Sequence, residues 1–156
     1  MKPIVRFLTL LLVAGCATVR PGAVEDVERT LDAWHQAAAA GDESTYFGTP
    51  ADDAIFLGTD ATQRWTRDAF EADMMRYFER DSAWTYLPVE RHVSLSPGGD
   101  VAWFDETLEN ASYGECRGTG VLRLEKGGWK IVQYNLTIPI PNEIAGEVVS
   151  MIRQRQ

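Results

Sequence analysis

Asp105 and Glu106 are the first residues in this chain whose type could carry chemistry. They are adjacent on an expected strand, Val101–Leu108, so their side chains point to opposite faces. Whichever turns inward could serve as a general base once burial raised its pKa. Asp60 is a third carboxylate candidate, although its place after Gly58-Thr59 also suits a turn cap. His35 follows Trp34 and lies about 100° around a helix from it, so it is expected to be exposed or at the helix edge, with a role as a base the lesser alternative. His92 is isolated on an expected strand with no acidic or cysteine partner at metal spacing, so no metal site is expected. Cys116 has no histidine near it in sequence and reads as a buried, inert thiol. No glycine-rich phosphate loop lies at a strand-to-helix junction, and nothing calls for a cofactor.

The elements that would position these residues follow from hydrophobic period. Val24, Val27, Leu31, Trp34 and Ala38 recur at helical steps over residues 24–40, with Glu25, Asp26 and Glu28 at the first turn and Gly41 as the stop. Glu43–Phe47 is a second short helix. Ala54–Leu57 is a short strand, and Thr66 caps a helix running to Arg80 with Phe70, Met74, Tyr77 and Phe78 on one face. Strands follow over Trp84–Leu95, Val101–Leu108, Gly118–Glu125 and Trp129–Ile140, the last two joined by a Lys126-Gly127-Gly128 turn. Glu143–Arg153 closes the chain as a helix. Helices first and a run of antiparallel strands after them make an α+β domain rather than an alternating βαβ one.

The 156 residues suit one domain. A net charge of −8 argues against a nucleic-acid surface, which needs clustered cations. Two cysteines cannot make a disulfide scaffold. The N-terminus is set apart as an address: Lys2 and Arg6 precede an apolar run over Phe7–Ala14, too short to span a bilayer. That run ends in Val13-Ala14-Gly15-Cys16 and resembles the lipobox of bacterial lipoprotein precursors. The resemblance implies cleavage before Cys16 and acylation of it, palmitate included. Ala17 in place of Asp then favours the periplasmic face of the outer membrane. Expected divisions are a signal peptide over 1–15, a lipidated tether over 16–23, a domain over 24–141 and a tail over 142–156. Losing Lys2 and Arg6 takes the net charge from −8 to −10.

Four stretches carry a second resemblance: the first helix ending Ala40-Gly41-Asp42; Ala51-Asp52-Asp53-Ala54 leading to Phe56-Leu57-Gly58-Thr59-Asp60 and Trp65; Val101-Ala102-Trp103-Phe104; and Arg117–Leu122 followed by Gly128–Gln133. In this order they are similar to the SnoaL-like branch of the nuclear-transport-factor-2-like superfamily. The resemblance implies a cone: a curved antiparallel sheet wrapped by N-terminal helices, with a pocket in its mouth and homodimers joined through the sheet's outer face. It does not fix an activity. The substrate-binding tyrosine and catalytic aspartate of the ketosteroid isomerases fall on Trp34 and Gly58, which speaks against that activity.

Within such a cone, Trp34, Phe56, Trp65 and Trp103 serve either as core or as pocket walls. On the last strand Trp129, Ile131, Gln133, Asn135 and Thr137 share one parity, polar toward one end. Arg117 and Thr119 come to the same end through the Lys126–Gly128 turn, so Arg117, Thr119, Gln133 and Asn135 are expected to converge on a polar site. An arginine there suits an anionic ligand. The opposite parity, Val132, Tyr134 and Leu136, is expected to form the dimer face. The functional expectation is a lipid-anchored envelope protein that binds a small, partly apolar ligand or a protein partner. The alternative is an isomerase, dehydratase or hydrolase using a pocket carboxylate.

Overall fold

A computed structural model describes residues 19–155. The signal segment and Cys16 therefore lie outside the described residues. Helix α1 (Ala23–Ala40) ends on Gly41 at φ 66°, where a side chain would be strained, and the Gly41 N–H donates back to the last turn. Helix α2 (Glu43–Gly48) is capped by the Asp42 carboxylate, which accepts from the Thr45 N–H. Strands β1 (Pro50–Leu57) and β2 (Arg64–Thr66) form a hairpin around residues 58–63. Thr66 caps α3 (Arg67–Phe78) by accepting from Ala69, as its position implies. Four long strands follow: β3 (Leu87–Leu95), β4 (Val101–Asn110), β5 (Gly114–Glu125) and β6 (Gly128–Thr137). A last helix, α4 (Ala145–Arg153), buries no residue and leaves Val149, Met151 and Ile152 exposed.

The six strands make one sheet in the order β2-β1-β6-β5-β4-β3. The α+β class and the N-terminal helical layer are as expected. One pairing is not: β1 runs parallel to β6, while the other neighbours are antiparallel. A parallel neighbour requires a long crossover, and here the chain between β1 and β6 supplies it with α3 and the four strands β2 to β5. The strands also begin and end differently from their apolar runs. β3 starts at Leu87 rather than Trp84, since Trp84 packs on α2 and α3 aromatics instead of joining the ladder.

The core lies between the inner sheet face and the helices. Val27, Leu31, Trp34 and Ala38 of α1 are buried against Phe104, Leu122, Ile131 and Tyr134 of the sheet. Phe47 and Phe78 close the helical side with ring centroids 4.9 Å apart. Aromatic contacts of this kind add about 0.5–1.5 kcal/mol each beyond their area.

The register of β6 explains where the polar residues go. Val121 pairs with Gln133, but Leu122 pairs with Ile131, so Val132 is an extra residue on β6. Such a bulge reverses the parity of everything after it. Trp129 and Ile131 face the core before it; Tyr134 and Leu136 face it after. Gln133 and Asn135 are turned to the outer face, opposite Val121 and Thr119. Two expectations are corrected by this single residue. Arg117, Thr119, Gln133 and Asn135 do stand close together, but outside the cone. Tyr134 and Leu136 belong to the interior rather than to a dimer face.

Candidate functional site

The interior widens at the end of the sheet where β1 and β6 finish, into a cavity of about 190 Å³. Trp34 and His35 of α1, Tyr46 of α2, and Phe70 and Met74 of α3 form its helical walls. Phe56, Tyr134 and Leu136 form its sheet floor, and Trp65, Trp84, Tyr86 and Tyr113 its rim. Phe56 stacks on Phe70 with centroids 3.9 Å apart, and Trp65 meets Phe70 edge-on. Trp34 stacks on Tyr46 at 4.9 Å and takes Tyr134 at its edge at 4.7 Å. Its indole N–H donates to the Tyr46 carbonyl at 3.2 Å, so it is not free for a ligand.

Beside this aromatic wall runs a chain of charged groups. His35 Nε2 lies 2.8 Å from Glu106 Oε1, and the Arg91 Nε–H donates to Glu106 Oε2 at 2.8 Å. Arg91 is held in turn by Asp32 Oδ1 at 2.8 Å and by the Glu28 carbonyl at 3.3 Å. Glu106 is 1% exposed and His35 7% exposed. Burial alone would push the Glu106 carboxyl up, but its bonds to His35 and Arg91 outweigh that and hold it below the usual carboxylate value. Glycine at 118 makes room for the arrangement: a Cβ there would come within 2.7 Å of both Glu106 Oε1 and the Tyr134 hydroxyl. Burial raises Tyr46 and Tyr134 well above the ordinary phenol value, with the Glu106 charge adding to the effect at Tyr134, and takes Tyr86 up to about 12. All three remain neutral hydroxyls at physiological pH.

The arrangement thus combines an apolar, aromatic pocket with one histidine clamped by a buried carboxylate. The family model for the SnoaL-like domain matches residues 27–141, which takes in both the cavity and the charged chain. The chain belongs to the SnoaL-like family.

Solved structures agree on the fold of this SnoaL-like protein. A nuclear-transport-factor-2-like (NTF2-like) protein of unknown function from Pseudomonas putida superposes with a TM-score of 0.66 at 16% identity, over 80% of this chain and 92% of that one. A cystatin-like protein of unknown function from Nostoc punctiforme gives 0.63 at 11% identity, over 78% and 95%. An NTF2-like protein from Cytophaga hutchinsonii gives 0.58 at 13% identity, over 74% and 97%. At these identities the likeness concerns fold alone. No curated protein matches the chain.

The SnoaL-like domain distributes the expected site residues unevenly. Trp34, Phe56 and Trp65 line the cavity. Trp103 does not: it is 49% exposed on the outer face, since the alternation of β4 turns Phe104 and Glu106 inward. The same alternation puts Asp105 outside, opposite Thr119 and His92, and makes Glu106 the buried member of the pair. Glu106 is not itself a wall of the cavity; His35 stands there and carries its influence. Asp60 closes the 58–63 turn, its carboxylate accepting from the Thr62 N–H at 2.8 Å and hydroxyl at 2.6 Å, and these bonds hold its pKa down.

His35 was expected at an exposed edge, and the signal that places it inside is in the helix itself. It lies four residues after Leu31 and three before Ala38, both on the buried stripe. Its partner Glu106 comes from β4, and Arg91, which holds that carboxylate, comes from β3; the strands pair at these two residues, a register that residue spacing does not reveal. Among the described residues no three His, Cys, Asp or Glu side chains gather as a metal site, and no helix is long and apolar enough to cross a membrane. Cys116 is fully buried opposite Leu108 on β5, and burial raises its thiol pKa. It is expected to stay unreactive toward a thiol reagent such as dithionitrobenzoate until denaturant is added; rapid labelling of the folded protein would contradict this placement.

Proposed function

We propose that the domain is a receptor for a small, uncharged, ring-containing molecule, held at the bacterial envelope by a lipid on Cys16. The observation that carries the reading is the aromatic cavity. An apolar cavity of about 150 Å³ accepts benzene, so about 190 Å³ with an open mouth suits a substituted ring or a fused pair. An anionic ligand is not favoured, because Arg117 stands on the outer face and Arg91 already faces two carboxylates. Mass spectrometry of small molecules released on denaturing the purified protein tests this. A ring compound near one per chain is expected, and a Leu136→Trp variant that fills the cavity should lack it. Equal amounts in both proteins would count against the cavity.

The anchor and the assembly rest on other features. The stretch ending Val13-Ala14-Gly15-Cys16 supports lipidation. Cys16→Ser is expected to leave the precursor uncleaved and without incorporated palmitate; normal processing would refute the anchor. The outer sheet face, with Trp103, Val121 and Ile55 in one cross-strand row, supports a homodimer. Light scattering should show a dimer that Trp103→Glu converts to a monomer. A wild-type monomer at micromolar concentration would remove that proposal.

A second reading is enzymatic, and the His35–Glu106 pair favours it. A carboxylate that orients an imidazole at a cavity wall is the arrangement general acid–base chemistry requires. Turnover of a bound ring ligand, abolished by His35→Phe, would move the reading from receptor to enzyme.

A further inference from the structure

The charged chain beside the cavity fixes more than stability; it fixes which hydrogen sits on which nitrogen. Glu106 is held as a carboxylate by Arg91 and His35, and a carboxylate can only accept. His35 Nε2 must therefore carry the hydrogen that points to Glu106 Oε1. The other nitrogen, Nδ1, is then the one left for a ligand, with a lone pair in the neutral ring and an N–H in the imidazolium. His35 lines the cavity, and no hydrogen bond among the described residues uses Nδ1. The imidazole is also held in place. Arg91 cannot swing away from Glu106, because Asp32 and the Glu28 carbonyl hold its other end. The Trp34 ring lies against the imidazole with centroids 5.2 Å apart.

A second polar group on the wall, the Tyr134 hydroxyl, has a different character. Tyr134 is a neutral hydroxyl that can donate, and its ring meets the imidazole edge-on at 6.3 Å. The indole N–H of Trp34 is already taken by Tyr46. His35 Nδ1 is thus a fixed polar atom with no partner among the described residues, and a hydroxyl serves it whichever way the hydrogen bond runs, donating to a lone pair or accepting from an N–H. A ligand that fills the aromatic space and offers no hydrogen-bonding group would bury this nitrogen unpaired, which is costly.

We propose that the cavity selects ring compounds bearing a hydroxyl, a phenol or ring alcohol, whose hydroxyl hydrogen-bonds to His35 Nδ1, with the Asp32–Arg91–Glu106 chain acting as the positioning device for that nitrogen. This rests on the receptor reading of the same cavity and names the chemical class that it takes.

Titration calorimetry with 2-naphthol and 2-fluoronaphthalene tests it. Fluorine nearly matches hydroxyl in size but cannot donate and accepts only weakly, and it makes the probe more apolar, which works against the expected result. Wild-type protein should bind 2-naphthol about 10- to 100-fold more tightly, the range that a lost hydrogen bond to a buried polar atom implies. In folded His35→Phe that ratio should fall to about one. Equal affinities in wild type would overturn the hydroxyl preference and leave the cavity standing as an apolar receptor. A ratio retained in His35→Phe would overturn the assignment to His35. Should the variant fail to fold, the wild-type ratio still decides the hydroxyl preference. No binding of either probe would overturn the receptor reading, and this inference with it.

Discussion

Glu106→Gln is expected to lower the free energy of unfolding by about 3–5 kcal/mol, the cost of breaking a buried pair from one side. The size follows from what remains. Arg91 has a side chain only 8% exposed and keeps a single carboxylate partner, Asp32, whose own side chain is half in water. Glutamine can still accept one hydrogen bond but brings no charge to offset the buried guanidinium. The same carboxylate gives the fold an acid limit. Its folded pKa is depressed, so its contribution is complete above the usual glutamate value of 4.5 and is lost as pH falls through the lower folded value. Wild type should therefore lose stability below about pH 4.5 more steeply than Glu106→Gln. Asp53→Asn is the control: Asp53 makes a bidentate pair with Arg123, but on the surface, and its loss should not shift the midpoint measurably. Urea denaturation across pH 3–7 checks all three. An unchanged midpoint for Glu106→Gln would show that the pair contributes nothing.

Trp34→Ala is expected to cost a similar amount, about 3–5 kcal/mol. Trp34 is 2% exposed and is the residue on which the pocket's two halves meet. It stacks on Tyr46 from α2, meets Tyr134 from β6 and holds the Tyr46 carbonyl. Removing it joins the existing cavity to a larger void and leaves that carbonyl without its donor. Trp34→Phe keeps most of the apolar area and should recover most of the loss in thermal denaturation. If alanine and phenylalanine are equivalent, Trp34 is not the keystone described here.

The parts of this account that were legible in the sequence are those written in local period. α1, α3 and the four long strands follow from apolar spacing, Thr66 from its capping chemistry, and the aromatic walls at Trp34, Phe56 and Trp65 from residue type and family resemblance. What was not legible depends on one register or on distant pairing. Val132 reads as an ordinary strand residue, yet as a bulge it reverses the faces of Gln133, Tyr134, Asn135 and Leu136. Alternation alone leaves Asp105 and Glu106 equivalent, and only pairing with β3 brings Arg91 to one of them. Counting from Trp34 put His35 at an edge; counting from Leu31 and Ala38 would have put it inside. The parallel neighbour of β1 is a fact of topology that no local pattern encodes.

The five tryptophans make the central claim directly measurable. Trp34, Trp65 and Trp84 line the cavity, Trp103 stands on the outer face, and Trp129 is buried in the core away from the cavity. 2-Naphthol titrated into nitrogen-15-labelled protein should shift the indole N–H resonances of Trp34, Trp65 and Trp84 along one saturating curve while those of Trp103 and Trp129 stay in place. Shifts confined to Trp103 or Trp129, or no shift at any of the five at the probe's solubility limit, would contradict an aromatic cavity as the binding site.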